Sequence, residues 1–106
     1  MYQIVVYIPK LHVEQVKTAL FEAGAGKIGD YDSCAWQILG RGQFRPLEGG
    51  TPFIGQTGEV ETVDEYRVEL VCEEAALKAA VAAMIAAHPY EEPAYSVWPL
   101  VNFEQL

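Results

Sequence analysis

The sequence predicts an α+β fold, a four-stranded antiparallel sheet with two helices on one face. Three observations carry that expectation. Two segments repeat apolar residues at three- and four-residue spacing, as helices do. Four others are β-rich runs or two-residue alternations, as strands are. Their order along the chain is β-α-β-β-α-β, the split βαβ arrangement.

Tyr2 to Ile8 opens the chain as a strand. Ile4, Val5, Val6, Tyr7 and Ile8 make both alternating faces apolar, which predicts burial on both sides. Pro9 ends it. Val13, Val16, Leu20 and Ala23 then recur at helical spacing between Glu14, Lys17 and Glu22. Gly24 and Gly26 follow that amphipathic helix, where a positive φ commonly stops one. Cys34 to Phe44 alternates Cys34, Trp36 and Ile38 against Ala35, Gln37 and Leu39, with a bulge expected at Gly40 and Gly42. Arg45 to Gly58 reads as a long loop.

Val60 to Cys72 is the third strand. Tyr66, Val68, Leu70 and Cys72 share one face; Glu61, Glu65 and Glu69 share the other with Val63, Arg67 and Val71, and that acidic row reads as a solvated face partly paired with Arg67 rather than a metal site. Glu73 to Ala87 is the second helix, its early acids matched to the helix dipole and its buried stripe expected at Leu77, Val81, Met84 and Ile85. His88-Pro89 stops it, because the residue before proline is pushed out of the α region. Tyr95 to Leu100 is the last strand. With both helices on one face, the other face is left open. Val5, Tyr7, Leu39, Val71, Tyr95 and Val97 are expected there, and an open apolar face of that kind predicts self-association.

A length of 106 residues gives one domain, 1–106. A net charge of −8 argues against nucleic acid and anionic membrane surfaces as partners. The Ala75 to Ala87 stretch is too short to span a bilayer, and the first residues lack a leader pattern, so a cytoplasmic protein is expected. Two cysteines, Cys34 and Cys72, are too few for a disulfide scaffold and are expected as thiols. A redox pair across neighbouring strands is the alternative.

Three places could carry chemistry. His88 stands at a helix C-terminus with Glu91 and Glu92 close in sequence, a set that could ligate copper or zinc. The plainer alternative is a capping histidine bonded to local backbone. Gly24, Gly26 and Gly29 could present amide N–H groups to an anion, with Lys27 adding charge. A turn closing against the sheet explains the same glycines. The long loop exceeds ordinary hairpin length, and Arg41 and Arg45 at its base could meet an anionic ligand. An arm against a neighbouring subunit is the other reading. No nucleophile, base and orienting group can be assembled, so a non-enzyme is expected.

His88-Pro89-Tyr90-Glu91-Glu92-Pro93, followed by Val97-Trp98-Pro99, resembles the signature near the end of the CutA family. The run from Gly24 to Cys34 is similar to the CutA-like domain inserted in Nif-three-like proteins of the YqfO type. So are Gly42 to Pro46, Gly49 to Gly55, and Glu65 to Glu69. The resemblance implies a ferredoxin-like fold and a CutA/PII-like trimer with sheets facing inward. It links the chain to relatives in metal tolerance or nucleotide-sensing regulation. Ala94 stands where CutA proteins often carry an acid, which weakens a borrowed metal site.

The resulting expectation is an oligomeric binding or regulatory module. It would bind a small anionic ligand or a partner protein in clefts between subunits, through residues among Gly24, Gly26, Lys27, Gly29, Arg41, Arg45, His88, Tyr90 and Glu91. Divalent metal binding through His88, Glu91 and Glu92 is the alternative, and no other cofactor is expected. A hydrolase association, by likeness to the larger Nif-three-like body, ranks third.

Overall fold

The computed structural model describes residues 1–106. Its elements are β1 (Tyr2–Pro9), α1 (Val13–Glu22), β2 (Trp36–Phe44), β3 (Glu61–Cys72), α2 (Glu74–Ala87) and β4 (Tyr95–Pro99). Short 3-10 turns occupy Lys10–His12 and Phe103–Gln105. The strands form one antiparallel sheet in the order β2-β3-β1-β4. This is the α+β, ferredoxin-like split βαβ fold.

The core lies between the sheet and the two helices. Ile4, Val6 and Ile8 of β1 meet Val68, Leu70 and Cys72 of β3, and Val13, Val16 and Leu20 of α1 close over them with Ala80 and Met84 of α2. Each large member brings about 1.5–3 kcal/mol of transfer free energy to folding. The α2 stripe is rotated from the expected one. Leu77, Val81 and Met84 face the core, but Ile85 is exposed and Ala80 is buried in its place. Alanine at position 80 lets the helix sit close to its neighbours, a choice that apolar counting alone cannot see.

Helix α1 ends in a Schellman turn. Ala25 N–H donates to Leu20 O and Gly24 N–H to Phe21 O, with Gly24 at φ +108°. Ala25 and Leu20, both buried, supply the apolar contact of that motif. Helix α2 ends at His88, whose extended backbone answers to Pro89.

The register corrects the expected open face. Opposed residues share a face, and Val5 stands opposite Glu69 and Ser96, while Ile4 stands opposite Leu70 and Val97. Val97 therefore faces the helices, as does Tyr95 opposite Val6. Leu39 stands opposite Tyr66 and also lies on the helix side. The open face carries Val5, Tyr7 and Val71 as expected, but with Trp36, Ile38 and Trp98. Trp36, Ile38 and Trp98 are 57%, 52% and 41% exposed, large enough values to leave this face as apolar as expected. Arg67 crosses it, paired with Glu69 at 2.8 Å.

Two further expectations change. No bulge forms at Gly40 or Gly42, because β2 pairs residue for residue with β3 from Trp36 to Phe44. Cys34 precedes β2 and folds back, its N–H on Gly26 O at 2.8 Å. Each thiol points at a local carbonyl, Cys34 at Asp32 O and Cys72 at Glu73 O, and both are free. Burial, then the Glu73 charge, raises the Cys72 thiol above its usual value, which disfavours the reactive thiolate.

Beyond Pro9 the ladder narrows. Glu61 to Asp64 pair only with Arg41 to Phe44, so β2 and β3 run on as a two-stranded arm. The molecule is accordingly long, 49 × 27 × 23 Å.

Candidate functional site

The residues singled out from sequence fall at opposite ends of the sheet. Gly24, Gly26, Lys27 and Gly29 lie beside the end of β3 and the start of α2. Gly26 N–H donates to Val71 O at 2.8 Å, and a Cβ on Gly24 would approach that of Ala76. His88, Tyr90 and Glu91 lie where β1 ends, and Arg45 begins the loop after β2.

Several amides of the glycine loop are already bonded within the fold. The N–H groups of Gly24, Ala25, Gly26 and Ile28 all donate to carbonyl oxygens, those of Phe21, Leu20, Val71 and Tyr31. Ile28 and Tyr31 exchange both hydrogen bonds around Gly29, a tight hairpin with φ +56° at the glycine. Lys27 is exposed. These glycines close a turn against the sheet.

His88 is buried and hydrogen-bonded at both ring nitrogens. It is 6% exposed. Tyr90 N–H donates to Nδ1 at 3.1 Å, so Nδ1 is an acceptor and Nε2 carries the proton it donates to Tyr7 O at 2.7 Å. Burial holds the imidazole below its ordinary pKa, outweighing the bond to Tyr7, and the nearby His12 lowers it further. The ring has no lone pair to give a metal. The set of His88, Glu91 and Glu92 is not assembled as a metal site, since no three His, Cys, Asp or Glu side chains stand close enough to hold an ion.

What the second end does hold is a cavity of about 410 Å³. The long loop forms one wall with Pro46, Leu47, Phe53 and Ile54; Phe44 and Tyr90 form another. The Phe44 and Tyr90 rings meet edge to face at 5.7 Å. Thr51 N–H reaches the Glu91 carboxylate at 3.3 Å, and Phe53 packs edge-on against His12 at 5.4 Å, so the loop is tied down on both sides. Glu65, Glu91 and Glu92 contribute carboxylates. No Lys or Arg lines the cavity; Arg41 and Arg45 are exposed and outside it. That lining runs against an anionic ligand here.

The Tyr90 hydroxyl is buried beside the Glu65 carboxylate. Burial, and then the neighbouring Glu65 carboxylate, raise its pKa well above the ordinary phenol value, so it stays a neutral donor. Sequence reasoning found Tyr90 and Glu91 through the terminal signature. It missed Glu65, which reads as one more acid in a solvated row. Gly42 was the available signal: a Cβ there would overlap the Glu65 carboxylate, so this glycine answers to space and not to backbone conformation.

Comparisons with known proteins agree with this fold. No family model matches the chain. The chain is similar to proteins named GTP cyclohydrolase 1 type 2 homolog, with 52% identity over 97 residues in Mycobacterium leprae and 50% over 98 residues in Bacillus subtilis. Those matches cover 92% of this chain but about a quarter (25% and 26%) of the relatives' length. Among solved structures, PII-like protein CutA from Nostoc, 17% identical, superimposes with a TM-score of 0.69 over 100% of this chain and 86% of its own. A Bacillus cereus protein related to NIF3 superimposes with a TM-score of 0.81 at 42% identity, over 95% of this chain and 26% of that one.

The chain has the fold of CutA proteins. More particularly, over nearly its whole length it is similar to a domain-sized part of NIF3-related proteins.

Proposed function

We propose that this chain is a non-enzymatic CutA/PII-like module that assembles through its open sheet face, as a trimer, and binds a small ligand or partner beside the long loop. The observation that carries the assembly is the open face itself. Trp36 and Trp98, at 57% and 41% exposed, flank Val5 and Val71 on one continuous sheet surface. Large exposed apolar patches mark interfaces in soluble proteins. The −8 net charge and the absence of any helix long and apolar enough to cross a membrane support a protein partner and a cytoplasmic setting over lipid or nucleic acid. The cyclohydrolase name belongs to proteins about four times as long, and the chain matches about a quarter of their length.

Native mass spectrometry at micromolar concentration tests this. Three copies are expected, and Trp36→Glu should shift the protein to one copy without unfolding it. A wild-type monomer under those conditions overturns the assembly.

A further inference from the structure

We propose that the cavity beside the long loop is a binding site for an organic cation, an ammonium or guanidinium group on an apolar stem. This rests on reading the chain as a binding module and deepens it by naming the ligand's chemistry.

The cavity volume, about 410 Å³, suits a small molecule. Its walls are partly apolar and aromatic, and its charged groups are of one sign. Glu65, Glu91 and Glu92 line it. The chain's two ion pairs are Lys17 with Glu14 and Arg67 with Glu69, so none of the three carboxylates has a cationic partner. Carboxylates beside apolar surface lose hydration, and a cation placed among them offsets that loss. Phe44 and Tyr90 line the cavity, and aromatic rings so placed attract an ammonium or guanidinium.

Two observations show that the acidic lining is built in. Gly42 leaves the space that the Glu65 carboxylate occupies, and any other residue would displace it. The Tyr90 hydroxyl is buried beside that carboxylate, and both line the cavity. A metal ion fits poorly, because it needs three or more convergent donors and no such group exists. An organic cation needs only one carboxylate and an aromatic wall. The chain's −8 charge also raises the local concentration of cations.

Benzylamine, benzyl alcohol and benzoate share a ring and differ in charge. Titrated calorimetrically at low salt against the full chain, benzylamine should bind about tenfold more tightly than benzyl alcohol, and benzoate not at all. Glu65→Gln should abolish that preference. Gly42→Ala should reduce it, because the new Cβ pushes aside only the end of a flexible side chain and leaves the fold intact. Both variants should keep the wild-type unfolding midpoint. Nα-acetyl-lysine methylamide is the second arm. Tighter binding than benzylamine makes the occupant a lysine of a partner protein, and weaker binding makes it a small amine. Equal binding of benzylamine and benzyl alcohol overturns the proposal, as does no binding, or a preference that survives with Glu65, Glu91 and Glu92 all changed to Gln. Native mass spectra of the same samples separate this claim from assembly. A trimer indifferent to probe charge sinks the site alone, and a monomer that keeps the preference sinks the assembly alone.

Discussion

The two ends of the sheet use polar and glycine-rich chain in opposite ways. At the Gly24–Cys34 end every amide named above has a carbonyl acceptor, and the glycines fit positive φ or tight contact. At the other end three carboxylates have no cationic partner, and a buried hydroxyl lies beside one of them. A satisfied end stabilises the fold, whereas an unsatisfied end has interactions left to make.

The comparison breaks most visibly at Gly26. Its φ is +76°, and a Cβ would come within 2.8 Å of a Phe21 ring carbon and 2.9 Å of Cys34 O. Left-handed backbone in a residue other than glycine costs about 1–3 kcal/mol, and overlap with a backbone oxygen adds to it. Gly26→Ala should therefore lose about 3 kcal/mol in urea unfolding. Amine binding by the protein that remains folded should be unchanged, since this end does not hold the cavity. A loss of under about 1 kcal/mol would mean that the loop is not the closed turn it looks to be.

His88 sharpens the comparison, because it belongs to the satisfied class while sitting at the unsatisfied end. His88→Ala strands Tyr7 O and Tyr90 N–H and leaves a hole, which should cost about 2–3 kcal/mol. The pH dependence follows from its lowered pKa. Below the ordinary value of 6.5 the unfolded chain takes up a proton that folded His88 resists. The stability from the neutral ring is full above that value and is lost as pH falls through the lower folded pKa. Wild-type stability should decline on acidification from pH 6.5, and His88→Ala should flatten that decline before the carboxylates titrate. A slope unchanged by the substitution would remove His88 as its source.

Periodicity made the six elements and their order readable before any coordinates. β3 also gave its faces, since Tyr66, Val68, Leu70 and Cys72 oppose a partly charged set across the strand. β2 and β4 did not, because apolar residues sit on both of their faces. Trp36 and Ile38 compete with Leu39, and Trp98 competes with Tyr95 and Val97. A slip of one residue exchanges the two sets, and only the ladder decides between them. The site was half legible. Tyr90 and Glu91 stand in a recognisable motif, but Glu65 looked solvated because its environment comes from a loop more than ten residues away along the chain. An anion nest and a structural glycine turn look alike in sequence; the difference lies in where the amide hydrogens go.

The smallest effect is the finest test of why each glycine is there. Gly29 and Gly42 are both exposed or half-exposed glycines, yet they answer to different demands. Gly29 has φ +56° and open space around its Cβ position, whereas Gly42 has ordinary strand backbone and the Glu65 carboxylate against it. Gly29→Ala should lose about 1 kcal/mol through left-handed strain, and Gly29→Asn should lose less, because Asn tolerates that region. Gly42→Ala should lose almost nothing in stability and act only on the Glu65 position. Paired urea unfolding curves decide it. If Gly42→Ala costs more than Gly29→Ala, the Glu65 carboxylate is held rigidly and not at the end of a yielding side chain, and the strand position itself needs glycine.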